Sequence, residues 1–215
     1  MYKKIVRWPS SSLFKECRPV KFNDSYFAKL DDLIDTFRVV QGYGLAAPQI
    51  GCSLRAFVIN PHAIGIDGYD EEYMEIINPV LECSGDMFIS NEACFSIPEV
   101  SAGVSRYENC ELKFSDRNGS QHTILAVGLA SACIQHEYDH LDGLLFLNRV
   151  SNLKRSILKR KINKIRRRKA QARELAKKQF DEDSRLYEDD SSSLEKPATS
   201  RKRKKRVKRK KQKRK

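Results

Sequence analysis

His136-Glu137-Tyr138-Asp139-His140 is the stretch whose reading decides the fold. Two histidines four apart lie on one face of an α-helix, about one turn from each other, so both imidazoles can reach a single metal ion. Glu137 is offset from that pair and can hold a water at the metal instead of the metal itself. The preceding Leu129-Ala130-Ser131-Ala132-Cys133-Ile134-Gln135 contains neither Gly nor Pro and predicts a buried helix that holds the ligands rigidly. The plainer alternative is a helix whose histidines only make hydrogen bonds. Two histidines also leave a catalytic site one ligand short, because such sites usually take three protein ligands and keep one position open. The long metalloprotease pattern has a histidine six residues after the second one, where this chain has Phe146. The first glutamate after Glu137 is Glu174, inside a strongly basic segment that makes a poor home for a buried ligand. The third ligand is therefore sought upstream, in Glu92-Ala93-Cys94-Phe95-Ser96.

Working outward, residues 5–20 read as an extended arm punctuated by prolines. Asn23 or Asp24 can cap a helix in which Phe27, Leu30, Leu33, Ile34 and Phe37 recur at helical spacing, an amphipathic stripe facing a core. Gln41-Gly42-Tyr43-Gly44-Leu45-Ala46-Ala47-Pro48-Gln49-Ile50-Gly51 predicts a tight loop of small residues, open to close backbone approach by a ligand or simply a turn. No Gly-Lys-Ser/Thr follows, so it is not a phosphate loop. Arg55 to Ile59 predicts a strand, and Ile76 to Leu81, with Pro79 inside it, predicts an edge strand. Asp67 to Glu75 reads as an acidic loop. Cys110, Leu112 and Phe114 alternate with polar residues, Asn118-Gly119 signals a hairpin turn, and His122, Ile124 and Ala126 continue on the return strand. A helix, several strands and then a buried helix argue an α+β domain.

Charge is divided unevenly. Residues 1–150 carry 13 Lys+Arg against 20 Asp+Glu, a net of −7, and residues 151–215 carry 28 against 8, a net of +20. A globular acidic part with a basic extension follows, and the extension is the natural contact for a polyanion. Six cysteines are scattered without paired spacing, no apolar signal core follows Met1, and no apolar run approaches membrane-spanning length. The expectation is a reduced, cytoplasmic protein without membrane contact.

Three stretches together resemble the peptide deformylase family: Gly42-Tyr43-Gly44-Leu45-Ala46-Ala47-Pro48-Gln49, Glu92-Ala93-Cys94-Phe95-Ser96, and Gln135-His136-Glu137-Tyr138-Asp139-His140-Leu141-Asp142-Gly143. They occur in the family's order and spacing, and the resemblance covers roughly residues 3 to 165. It implies an α+β fold with short antiparallel or mixed sheets around a central metal-binding helix, followed by a basic C-terminal helix and a disordered tail. It implies removal of the formyl group from the N-terminal formylmethionine of nascent polypeptides, with release of formate, in a bacterial cytoplasm. Carried over position by position, it makes Cys94, His136 and His140 the ligands of one divalent metal per chain. That metal is Fe²⁺, with zinc or nickel as substitutes. Glu137 becomes the general acid/base, Gln49 and the backbone N–H of Phe95 the oxyanion donors, and Gly42, Tyr43, Gly44 and Leu45 the backbone that receives the substrate peptide as an added strand. Three positions depart from the family's usual residues: Ala93 stands for Gly, Phe95 for Leu, and Tyr43 for a small aliphatic. Tyr43 and Phe95 bear on the shape of the methionine pocket.

Leu153, Ile157, Leu158, Ile162 and Ile165 keep helical spacing among lysines and arginines and predict one long helix from Leu153 to about Gln179. The resemblance implies that this basic helix docks on the ribosome. Residues 181–200 read as an acidic, Ser-rich linker, and Arg201 to Lys215, with 13 Lys or Arg, as a block too charged to build a core. The expected division is a catalytic domain over 1–150, a basic helix over 151–180, and a linker with a polybasic tail over 181–215, the tail attracted to ribosomal RNA. Two other readings compete: a protease with a different third ligand, and a catalytically weak relative kept for binding the ribosome or RNA.

Overall fold

The structure, a computed structural model, describes residues 1–69 and 71–193, with side chains as far as Asp181. It divides into two units, Met1–Ile165 and Arg166–Lys215. In the first, a five-stranded meander runs in the order β1 (Gly44–Ala46), β2 (Ala56–Ile59), β3 (Met74–Cys94), β4 (Ile97–Ser115) and β5 (Gln121–Val127), every pairing antiparallel. Helix α1 (Asp24–Val40) precedes the sheet and α2 (Pro61–Ile64) is a single turn after β2. Helix α3 (Leu129–Leu141) follows the sheet, and α4 begins at Asn152. The α+β class is therefore as the order of elements predicts.

Local chemistry explains most boundaries. The Asn23 side chain accepts the Tyr26 N–H at 3.3 Å and starts α1, which buries Leu30, Leu33, Ile34 and Phe37 against β1 and β2. Asn118-Gly119 turns β4 into β5 with Gly119 at φ 85°, and Asp116 Oδ1 accepts the N–H groups of Asn118 and Ser120. The inward residues Cys110, Leu112, Phe114, Ile124 and Ala126 pack under α3, as their alternation predicts.

Two expectations are corrected. The run Ile76 to Leu81 belongs to β3; Ile76 and Ile77 lie between β2 and β4 and are no edge, whereas Val80 and Leu81 pair with β4 alone. Pro79 is tolerated there because the β3–β4 register breaks between Ile77/Ser115 and Val80/Lys113, so no ladder bond is asked of it. Asn78 fills the break, with φ 49° and a side chain that receives the Val20 N–H at 2.7 Å and donates to the Val20 carbonyl at 3.0 Å. The second concerns length. Helix α4 spans Asn152–Ser193, past Gln179 and into the stretch read as linker, because no Gly or Pro interrupts those residues. Within the first unit its Leu158 and Ile162 are buried with Ile97, Val100 and Val104. In the second unit, Arg166 to Asp181 are all exposed. The polybasic block 201–215 lies outside the described residues.

Candidate metal centre

Helix α3 is buried on nearly every side; only Leu129 is exposed. That is why it shows no polar stripe, and it fixes His136 and His140 on one face with their rings 5.1 Å apart at 81°. Cys94 comes from the end of β3, where the ladder slips between Ala93/Ser101 and Cys94/Ile97 and redirects the strand. The three side chains offer ligand atoms within 4.8 Å of one another, and Cys94 Sγ lies 3.3 Å from His140 Nε2. Burial alone would raise the Cys94 thiol, but the His140 and His136 rings outweigh it and hold the thiol well below its ordinary range. The other five cysteines move the opposite way, Cys17 and Cys110 to about 11, chiefly through burial. Of the six, Cys94 alone is shifted toward the thiolate.

Behind this face lies a buried polar network. His136 Nδ1 is 2.8 Å from Glu92 Oε2. Arg106 donates to both Glu92 oxygens, at 2.6 and 3.0 Å, and to Asp139 at 2.8 Å, and Arg149 also donates to Asp139. Burial pushes the Glu92 carboxyl up, yet His136 and Arg106 overcome it and leave Glu92 at about 2. Glu92 thereby fixes the His136 ring with Nε2 free to face a metal. Residue reading gave Glu92, Arg106 and Asp139 no role. The usable signal was the ionisable pair Glu92 and Arg106 on a strand hairpin, but the pairing of that hairpin is needed to see them meet.

Glu137 is buried beside the triad, and loss of water raises its carboxyl to about 7. Its Oε2 atom and His140 Nδ1 are the buried side-chain polar atoms without a partner among the described residues. Gly44 lies so close that a Cβ there would meet the Glu137 side chain at 2.6–2.8 Å. Gln49 is buried; its Oε1 accepts the Ala46 N–H at 2.7 Å, and its Nε2 lies 3.4 Å from Cys94 Sγ. A carbonyl anchored in this way aims the NH₂ group at the centre. β1 is an outer strand of the sheet and pairs only with β2; away from β2 the Ala46 N–H is held by Gln49, and the Gly44 backbone has no strand partner. Leu45 points its side chain into the α1 core, whereas Tyr43 is exposed and the Phe95 ring covers Gly42. A cavity of 690 Å³ brings Gly42, Tyr43, Gly44, Gln49, Phe95 and Glu137 to one surface with Cys94 and His136; His140 lies deeper.

The donor set fits a divalent metal: one cysteine sulfur, two imidazoles, a ring held from behind and a carboxylate oxygen alongside that has no partner among the described residues.

The family model for polypeptide deformylase matches residues 2–156. The peptide deformylase of Pelagibacter ubique is 36% identical over 166 residues, covering 76% of this chain and 95% of that protein. The crystal structure of a peptide deformylase from Legionella pneumophila matches with a TM-score of 0.70 and 38% identity, over 79% of this chain and 98% of that one. That of Ehrlichia chaffeensis peptide deformylase in complex with actinonin matches at 0.68 and 32%, over 78% and 97%.

Proposed function

The chain belongs to the polypeptide deformylase family, and from that premise we propose a role for each side chain of the site. The reaction is the metal-dependent removal of the formyl group from the N-terminal formylmethionine of nascent polypeptides, with release of formate. Cys94, His136 and His140 hold the metal, one per chain. When bound, the metal supplies Lewis acidity at the formyl oxygen and at the attacking water. Glu137 takes the proton from that water and passes it to the departing amine. The Gln49 Nε2 group and the Phe95 N–H donate to the oxygen as it gains charge; one such donor is typically worth roughly 3–4 kcal/mol. The open side of β1, with Gly42 to Leu45, receives the peptide backbone as an added strand, and Tyr43 and Phe95 border the methionine side chain. Glu92 orients His136, and Arg106 keeps Glu92 ionised.

One observation supports this assignment above the rest: the three donor atoms lie within 4.8 Å of one another beside a buried Glu137 oxygen that has no partner among the described residues. The test is formate release from a short formyl-Met peptide by protein purified without oxygen, with Glu137→Ala alongside. The expected outcome is turnover that the variant loses by about 10²–10⁴-fold while its metal content is retained. Cleavage of unformylated internal peptide bonds would favour a protease. A loaded but inactive centre would favour a binding protein.

We assign Fe²⁺ as the metal, with zinc and nickel as substitutes, because a thiolate and two imidazoles suit all three and the family's usual metal is ferrous. Rapid loss of activity in air, restored by Fe²⁺ with reductant, is the expected behaviour. We also assign the basic region from Arg166 onward, including the 201–215 block, to docking on ribosomal RNA in a bacterial cytoplasm. It carries 22 Lys+Arg against 8 Asp+Glu, a net of +14, and no helix among the described residues is long and apolar enough to cross a membrane. The catalytic domain over 1–150, the basic helix over 151–180 and the remaining 181–215 are then parts with separate tasks. Truncation after Gln179 should weaken sedimentation with ribosomes at low salt and leave formate release from free peptides intact; unchanged sedimentation would remove the tail from the docking surface.

A further inference from the structure

The cleft that holds the metal centre also carries two cations that the deformylase reaction does not use. Arg7 comes from the N-terminal arm and Lys161 from α4. Arg7 is fixed through its backbone neighbours: the Val6 N–H donates to the Gln49 carbonyl at 2.7 Å and the Trp8 N–H to the Ser96 carbonyl at 2.9 Å. Its guanidinium donates to the Phe95 carbonyl, which satisfies one hydrogen bond but leaves the charge in place. Lys161 immediately precedes Ile162, which is buried against the β3–β4 hairpin together with Leu158. That anchor fixes the root of Lys161 at the cleft while its side chain stays exposed. Three carboxylates line the same cleft. Glu92 is committed to Arg106 and His136, Glu137 is buried at the reacting end, and Glu99 stands at the lining with the two cations. Arg7 and Lys161 are the two cations of that lining. A formylated N-terminus has no ammonium, so any charge that the substrate brings into the cleft comes from its side chains.

We propose that Lys161, with Arg7, makes the cleft selective for formyl-peptides that carry an acidic side chain a few residues after the formylated methionine. The inference rests on the deformylase reading and adds a substrate preference to it. Neither residue is assigned a chemical step, since both act on binding.

The test is kcat/KM for formyl-Met-Ala peptides, amidated at the C-terminus, in which the third or fourth residue is Glu, Gln or Lys. At low ionic strength the Glu peptide should exceed the Lys peptide by roughly fivefold, and the gap should shrink as salt is added. Lys161→Glu should abolish or invert that ratio through KM, whereas Lys164→Glu, the same charge change on an exposed position of α4 outside the cleft lining, should preserve it. Equal turnover of the three peptides would overturn the proposal. So would a ratio that Lys164→Glu removes as fully as Lys161→Glu, because the overall field of the chain would then be responsible. Absence of turnover with the neutral Gln peptide would instead overturn the deformylase reading on which the proposal stands.

Discussion

Two regions of the first unit are built from the same parts. Behind the metal centre, Arg106 forks onto Glu92 and reaches Asp139, and His136 meets Glu92 at 2.8 Å. At the β4–β5 hairpin, Arg117 forks onto Glu75 at 2.8 and 2.9 Å and reaches Asp31 at 2.6 Å, and His122 meets Asp116 at 3.0 Å. The arginine forks match; the histidine differs, since His136 shares Glu92 with Arg106 whereas His122 meets a carboxylate that Arg117 does not touch, and the setting differs more. The Arg106 side chain is 3% exposed and its two carboxylates 6% each; Arg117 is 35% exposed, Glu75 14% and Asp31 55%. A buried charge that loses its partner cannot turn to water, so the inner network must be complete or fail. The outer one loses a contact and is rehydrated. Distance alone therefore says little about what an ion pair does for this protein.

The sharpest way to break that comparison is Arg106→Met. It should leave Glu92 buried without its guanidinium, while Asp139 keeps Arg149, and cost about 3–5 kcal/mol in urea unfolding. Next in size is Glu92→Gln, which keeps the shape but removes the charge behind His136. Metal affinity should fall about 10–100-fold in a competitive chelator titration, with a smaller effect on folding. Arg117→Met should cost no more than about 1 kcal/mol by the same urea measurement, despite losing as many hydrogen bonds as Arg106→Met. Smallest is His122→Gln, expected to change stability by less than about 0.5 kcal/mol and metal binding not at all. If Arg117→Met proved as damaging as Arg106→Met, burial would not be the deciding variable. If Glu92→Gln bound metal as tightly as the parent, the inner network would be serving the fold alone.

Within the metal centre itself, the residues that could be named from the sequence are those whose spacing is local. His136, Glu137 and His140 share one helix, and a helix converts sequence spacing into a spatial face. Cys94 and Gln49 needed the family resemblance to join them. Glu92 was visible in the second motif without a task, and Arg106 was not visible at all, because its meeting with Glu92 depends on the register of a hairpin with strands of 21 and 19 residues and three breaks in its pairing. Sequence patterning likewise made Ile76 to Leu81 an edge strand on account of Pro79. The bulge that frees Pro79 from the ladder is a property of two strands, not of one. The end of α4 was missed for a related reason: a change to acidic, Ser-rich composition suggested a linker, although no Gly or Pro stands between Asp181 and Ser193.

By itself, then, the sequence determined the α+β class, the cap of α1, the Asn118-Gly119 turn, the metal-binding helix and the uneven division of charge. Each of these follows from interactions between residues close along the chain, or from composition alone. The tertiary structure decided which side chain holds His136 in place, why Gly44 must lack a Cβ beside Glu137, and which surface Lys161 shares with Arg7. These are contacts between residues tens of positions apart, and no local preference specifies them. They exist only once strand register and burial have brought the chain together and excluded water from its interior.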